Sequence, residues 1–252
     1  MEKFLILGGD STLAGYFLES YGKHCIALSK KQCDITDIKV LDRIIKKSKC
    51  KYVINCAAVT DIQYSENNPK ECFEVNSTAV YNIGKLCDKY GKRLIHFSSD
   101  YAIKPVNVYG YSKLVSENVI NLKKNLIVRT SFYSPNYYII KSLLAGRSTN
   151  AYKNVFFNPV SVNLLVTEVF KNKDKCGLIN VFSEKRISKY NFGRMIVKYF
   201  DIDKKLLKPA IFTNKANEVA LPLDSFVKSD IKISLDQDLF FFKESSNFTL
   251  CH

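Results

Sequence analysis

Over its first 130 residues the chain alternates short apolar runs with longer amphipathic stretches, and this rhythm constrains the fold more than any other feature. Five runs, Lys3–Leu7, His24–Leu28, Tyr52–Asn55, Arg93–Phe97 and Leu126–Arg129, are four or five residues long and rich in Ile, Leu, Val or Phe. Runs that short and that continuously apolar suit strands buried on both faces of a sheet. Between them, segments near Leu13–Tyr21, Asp37–Ser48, Pro69–Tyr90 and Val108–Leu122 have the length and spacing of crossover helices. The expected fold class is α/β, with a doubly wound parallel sheet. After about residue 135 the alternation weakens into lysine-rich segments broken by Pro159, Pro209 and Pro222. Residues 1–135 are therefore expected to form the sheet domain, completed by part of 155–185, and 136–252 mainly a smaller carboxyl-terminal lobe.

Composition closes off several functional classes. No apolar run approaches the 18 or more residues that a membrane-spanning helix needs, and the amino terminus lacks the apolar stretch and cleavage site of a signal peptide. A cytoplasmic protein without membrane attachment is expected. The 8 cysteines include no C-x-x-C pair and the histidines number 3, so no metal site is expected and the thiols read as free and buried. A formal net charge of +14 raises the question of anionic partners. Its lysines are spread along the whole chain with no basic stripe interleaved with aromatics, which argues against nucleic acid and for small anionic ligands.

The first run leads straight into Gly8-Gly9-Asp10-Ser11-Thr12-Leu13-Ala14-Gly15 and then into a helix. Gly9 and Gly15 are spaced as the outer pair of a G-x-x-G-x-x-G dinucleotide loop, with Thr12 in place of the middle glycine. Two glycines at a strand end also make an ordinary turn. The position between first strand and first helix favours a Rossmann-type loop in which Gly9, Thr12, Leu13 and Gly15 meet the cofactor. The second run ends in Ala27-Leu28-Ser29 and continues Lys30-Lys31, without the carboxylate that binds the free ribose of NAD. NADP(H) is expected over NAD(H), with Ser29, Lys30 and Lys31 at its 2′-phosphate; two solvated surface lysines are the plainer alternative.

Tyr109 and Lys113 lie four apart, on one face of a predicted helix. A phenol titrates near 10 unaided, so a cation beside it makes it a better proton donor and acceptor. Upstream, His96-Phe97-Ser98-Ser99-Asp100-Tyr101 delivers hydroxyls at the carboxyl end of the fourth strand, where open parallel sheets bind ligands.

Together these pieces resemble the extended short-chain dehydrogenase/reductase family, and within it the dTDP-4-dehydrorhamnose reductases. The resemblance extends through Cys33–Asp37, Asn55–Thr60, Val75-Asn76, Ser98–Tyr101, Val108–Gly110 with Lys113, Val128–Phe132, Arg186–Gly193 and Leu221–Asp224. It implies catalytic places for Ser99, for Tyr109 as the acid and for Lys113, which would also hold the nicotinamide ribose and lower the tyrosine pKa. Asp34 and Ile35 would flank the adenine, and Ala57, Ala58 and Val59 would line the cofactor. Thr60, Asp100, Tyr101 and Phe132 would fall near the sugar. The implied reaction is NADPH-dependent reduction of a nucleotide-linked 4-keto-6-deoxy sugar in deoxysugar and polysaccharide biosynthesis. A nucleotide-sugar epimerase or dehydratase of the same family and a non-catalytic NADP-binding regulatory subunit are the rival readings. Asp100 stands where the family's bifunctional epimerase-reductases carry a cysteine, which favours a plain reductase. A homodimer is compatible with all of these. The Ser99–Tyr109 connection is shorter than the resemblance implies and contains Pro105, so few residues are expected to cover the sugar.

Overall fold

The computed structural model describes residues 3–213 and 218–245. Among them the chain divides into two compact units, one built from residues up to Arg129 together with Val166–Ile179, the other from Thr130–Leu165 and from Asn180 onward.

The first unit is the doubly wound sheet. Strands β1 (Phe4–Leu7), β2 (Cys25–Leu28), β3 (Tyr52–Asn55), β4 (Arg93–Ser99) and β5 (Leu126–Thr130) coincide with the five apolar runs to within one or two residues. A sixth strand, Gly177–Val181, extends the sheet beyond the five runs read from sequence, in the order Gly177–Val181, β5, β4, β3, β1, β2. Its run Leu178–Val181 is interrupted by Asn180 and opens at Gly177, whose φ of 101° marks a turn, so periodicity alone gives it little weight. The connecting helices carry their own start signals. Ser11, Asp37, Asp61 and Asn107 each accept a backbone N–H from the first turn of α1 (Thr12–Tyr21), α2 (Ile38–Lys47), α3 (Ile62–Asn67) and α6 (Val108–Asn118) respectively.

The stretch Pro69–Tyr90, expected as one helix, is α4 (Pro69–Phe73), a wide π turn (Glu74–Thr78) and α5 (Ala79–Lys89). Gly91, at φ 64°, ends α5, and the Lys92 N–H returns to the Cys87 carbonyl at 2.8 Å. Between sheet and helices lies a buried cluster that includes Leu5, Leu7, Leu41, Ile45, Val53, Val80, Ile83, Leu94 and Ile127. Burial pushes the thiols of Cys25 and Cys33 up to about 11 and that of Cys87 to about 12, so these cysteines are packing groups rather than nucleophiles.

Helix α8 (Val162–Lys171) begins in the second unit and ends in the first; the second unit packs α7 (Tyr138–Leu144), α9 (Lys189–Tyr199) and α10 (Leu235–Ser245) around a core that includes Tyr133, Phe157, Phe192 and Phe242. Asp238 of α10 is buried there and accepts from the Tyr133 hydroxyl at 2.9 Å and the Ser161 N–H at 2.7 Å.

Candidate active site

Parallel pairing puts Leu7 beside both Leu28 and Asn55, and Asn55 beside His96, so the carboxyl ends of β1 to β4 share one edge. The segments that follow, Gly8–Ser11, Ser29–Cys33, Cys56–Thr60 and Phe97–Ser99, emerge together there. Because β1 lies between β2 and β3, this edge contains the point where the strand order reverses, the usual ligand crevice of such sheets.

The glycine turn is shaped by contacts that a side chain would prevent. Gly8 holds a φ of 78°, and a Cβ on it would sit 2.5 Å from the Ala57 backbone nitrogen. A Cβ on Gly9 would meet the Leu28 backbone at 3.0 Å, and the Gly9 N–H donates to the Leu28 carbonyl at 2.7 Å. Gly8, which the outer-pair reading passed over, is therefore the most constrained glycine of the turn. Gly15 is different: among the described residues, nothing apart from its chain neighbours and the backbone of its own helix lies within 4 Å of the position a Cβ would take.

A helix amino terminus begins with four N–H groups that have no intrahelical acceptor. In α1 the Ser11 N–H reaches the Gly8 carbonyl at 3.0 Å and that of Ala14 reaches the Ser11 hydroxyl at 3.2 Å, which leaves those of Thr12 and Leu13. Two free N–H groups, a helix dipole and an unfilled space at Gly15 fit a diphosphate. Leu13 itself is buried, so only its backbone is available to a ligand.

At the neighbouring loop the Lys30 N–H donates to an Asp10 carboxylate oxygen at 3.2 Å, while Lys30 and Lys31 extend into solvent. The loop is closed by Gln32, whose side chain accepts from the Ser29 N–H at 2.9 Å. Asp34 accepts from the Thr36 N–H and hydroxyl at 3.0 and 2.7 Å; these bonds hold its carboxyl below the usual range. Ile35 belongs to the core cluster and offers a ligand little beyond its backbone. Ala57, Ala58 and Val59 are half-buried after β3, and Thr60 is exposed. Phe132 belongs to the second unit, where Phe132–Tyr133 pairs with Val160–Ser161.

Ser99, Asp100, Tyr101, Tyr109 and Lys113 are brought together. Ser99 ends β4; its hydroxyl donates to Asp100 at 2.8 Å and accepts from the Tyr101 N–H at 3.2 Å. The Tyr101 and Tyr109 rings meet edge to face at 5.8 Å. Gly110 makes this possible, since a Cβ there would lie 2.8 Å from the Tyr101 carbonyl oxygen. Burial and the nearby Asp100 push the Tyr109 phenol up to about 12, against an interaction with the Ser99 hydroxyl that pulls it down. The lowering expected from Lys113 is absent. The Lys113 ammonium is buried and donates to the Phe97 carbonyl at 2.6 Å, and desolvation brings it down to about 8 despite Glu117.

A family model described as the RmlD substrate binding domain matches residues 2–237. The chain belongs to this family. Its resemblance to the dTDP-4-dehydrorhamnose reductases is borne out: the reductase of that name from Mycobacterium tuberculosis is 30% identical over 154 residues, 52% of this chain. The matched part spans 50% of the mycobacterial protein, so the chain covers about half the length of that relative. A probable low-salt glycan biosynthesis reductase of Haloferax volcanii is 26% identical over 220 residues, 76% of this chain and 73% of its own length. A crystal structure of dTDP-4-dehydrorhamnose reductase from Bacillus anthracis in complex with NADP superposes with a TM-score of 0.88 at 20% identity, covering 98% of this chain and 100% of that one. That likeness bears on the fold, which is the doubly wound α/β architecture read from the sequence.

Two residues that sequence reasoning did not count among the site residues organise this RmlD-family site from beneath. Asn76, fully buried on the π turn, accepts from the Val59 N–H and donates to the Val59 carbonyl, both at 2.8 Å, and also donates to the Ser112 hydroxyl at 3.0 Å. It thereby ties the segment after β3 to the helix that carries Tyr109 and Lys113; wide turns of this kind recur at functional positions. His96 makes a second tie. Asn55 accepts from the Ala57 N–H at 3.1 Å and contacts His96 Nδ1 at 3.3 Å, His96 Nε2 meets the Ser116 hydroxyl at 3.1 Å, and that hydroxyl donates to the Lys113 carbonyl at 2.6 Å. Burial and the Lys113 charge keep the imidazole neutral. The Val75-Asn76 and His96 positions were visible in the sequence, but only three-dimensional proximity reveals their partners.

Proposed function

We propose that the protein is an NADPH-dependent reductase of a nucleotide-linked 4-keto-6-deoxy sugar. The observation that carries this reading is the grouping of Ser99, Tyr109 and Lys113 at the sheet edge that also holds the glycine turn. The names of the relatives support it. In this reading the free Thr12 and Leu13 N–H groups take the cofactor diphosphate, Gly15 leaves room for it, and Ala57, Ala58 and Val59 line its path. Ser29, Lys30 and Lys31 take the 2′-phosphate. Asp34, with the Ile35 backbone, flanks the adenine.

The bound reduced nicotinamide supplies the hydride. Tyr109, held at about 12, keeps its proton at neutral pH and is therefore in the acid form that reduction of a ketone requires. The Ser99 hydroxyl, now bonded to Asp100, turns to donate to the same ketone oxygen and fixes its place beside the phenol. Lys113 holds the nicotinamide ribose. Thr60, Asp100 and Tyr101 orient the sugar.

The test is NADPH consumption with a panel of nucleotide-linked 4-ketosugars. Turnover with at least one, and NADPH bound at least about tenfold more tightly than NADH, is expected, since each charge-assisted phosphate contact is worth roughly 1.5–3 kcal/mol. Equal affinity for the two cofactors would remove Lys30 and Lys31 from the reading.

A further inference from the structure

Helix α6 presents Tyr109, Lys113 and Glu117 at a four-residue spacing along one face. The last of these is outside the proposed chemistry, yet it is buried and fully engaged. Arg129 of β5 donates to both its oxygens, through Nε at 2.7 Å and Nη2 at 2.6 Å, and the Ser98 hydroxyl of β4 adds a bond of 2.6 Å. One turn earlier, the Lys113 ammonium donates to the carbonyl of Phe97, the residue next to Ser98. Two opposite charges on one helix thus dock on successive residues of β4, and the ion pair of Glu117 is made with Arg129.

A carboxylate and an ammonium four apart on a helix are within reach of each other, and away from water their attraction is large. We propose that Arg129 is a positioning residue that occupies both oxygens of Glu117 and so prevents this carboxylate from capturing Lys113. With Arg129 in place, Lys113, Glu117 and Arg129 carry one net positive charge, and the cation outside the ion pair is Lys113, one turn beyond Tyr109 on α6. The other titratable groups facing Lys113 are the Cys72 thiol and His96, the latter held neutral. Burial brings Lys113 down to about 8, with Glu117 and then Cys72 opposing.

The inference rests on the cofactor reading, and its test separates the two. NADPH affinity is measured from pH 6 to 9 for wild type, Arg129→Gln, Glu117→Gln and the double variant, at a temperature where circular dichroism shows each folded. Arg129→Gln frees Glu117 to pair with Lys113, so NADPH should bind about tenfold more weakly below about pH 8, where wild-type Lys113 is cationic, and the gap should narrow above it. The double variant removes both charges and should return to within about threefold of wild type. In Glu117→Gln, Lys113 loses its supporting carboxylate, so its affinity should fall mainly at the alkaline end. Lysine side-chain NMR of the cofactor-free protein, assigned with Lys113→Arg, should show the Lys113 titration moved up in Arg129→Gln and back in the double variant. If wild type binds no NADPH, the cofactor reading fails and the lysine titration alone decides the charge arrangement. Should Arg129→Gln not fold, Arg129→Lys, which keeps the charge but leaves one Glu117 oxygen unbridged, should give a smaller loss of affinity in the same direction, and an affinity equal to wild type would count against the proposal. Arg129→Gln binding NADPH like wild type, a double variant as weak as Arg129→Gln, or an unmoved Lys113 titration would overturn the proposal.

Discussion

Under the proposed function Tyr109 gives the proton and Lys113 holds the cofactor, and each role has its own observable. Replacing Tyr109 by Phe removes the acid while keeping the ring that packs on Tyr101, so turnover should fall by roughly 10²–10⁴ with fold and NADPH affinity retained. A Tyr109→Phe enzyme with normal turnover would take this residue out of the mechanism. Lys113 is cationic below about 8 and loses its charge above, so NADPH affinity should decline as pH rises through that value. Lys113→Met should bind weakly at every pH and lose the slope. Stability moves the opposite way. An unfolded lysine binds its proton up to about 10.4, so between about 8 and that value the unfolded chain holds more protons than the native one, and wild-type stability should rise with pH relative to Lys113→Met in urea titrations. The spacing of Tyr109 and Lys113 was legible in the sequence. The direction of the Tyr109 shift was not, because it depends on burial and on Asp100, which only the folded chain brings near.

At the scale of elements, the five apolar runs and the amphipathic stretches between them made most of the first unit readable, since local propensity and burial pattern agree there, and the structure adds the caps Ser11, Asp37 and Asn107 that start its helices. The π turn was not readable, because the energy that favours a wide turn at Asn76 comes from bonds to Val59 and Ser112, distant in sequence. The glycine turn separates structure from function by mutation. Gly8→Ala forces a left-handed residue against the Ala57 backbone, a loss of about 1–2 kcal/mol from conformation alone, and the chemical denaturation midpoint should drop accordingly. Gly15→Ala meets nothing and sits inside α1, so it should stabilise the cofactor-free protein by about 0.5–1 kcal/mol while weakening NADPH binding. A Gly15→Ala protein that is more stable and binds NADPH unchanged would show that the turn is only a turn. In the second unit, Asp238→Ala would strand the buried Tyr133 hydroxyl and Ser161 N–H, at about 1–3 kcal/mol each. Asp238→Asn keeps an acceptor and should lose less in the same measurement.

For the whole molecule, the doubly wound sheet brings the carboxyl ends of β1 to β4 to one edge, and under the proposed function the Ser99, Tyr109 and Lys113 grouping acts there on a bound cofactor. Among the described residues no helix is long and apolar enough to cross a membrane, and no group of three or more His, Cys, Asp or Glu is arranged to hold a metal ion. The segment between Ser99 and Tyr109 is spent on a short 3₁₀ turn, Asp100–Ala102, and on the Pro105 loop that packs against Gly110. What the molecule does with a ketone is decided most directly by following the hydride. NADPH deuterated at the transferring position of the nicotinamide is incubated with a nucleotide-linked 4-keto-6-deoxy sugar, and the sugar product is examined by mass spectrometry and NMR. The account predicts deuterium on carbon 4 of the sugar, delivered by wild type and lost to the same extent as turnover in Tyr109→Phe. NADPH bound with no deuterium transferred to any ketosugar of the panel would contradict it and leave a cofactor-binding regulator in its place.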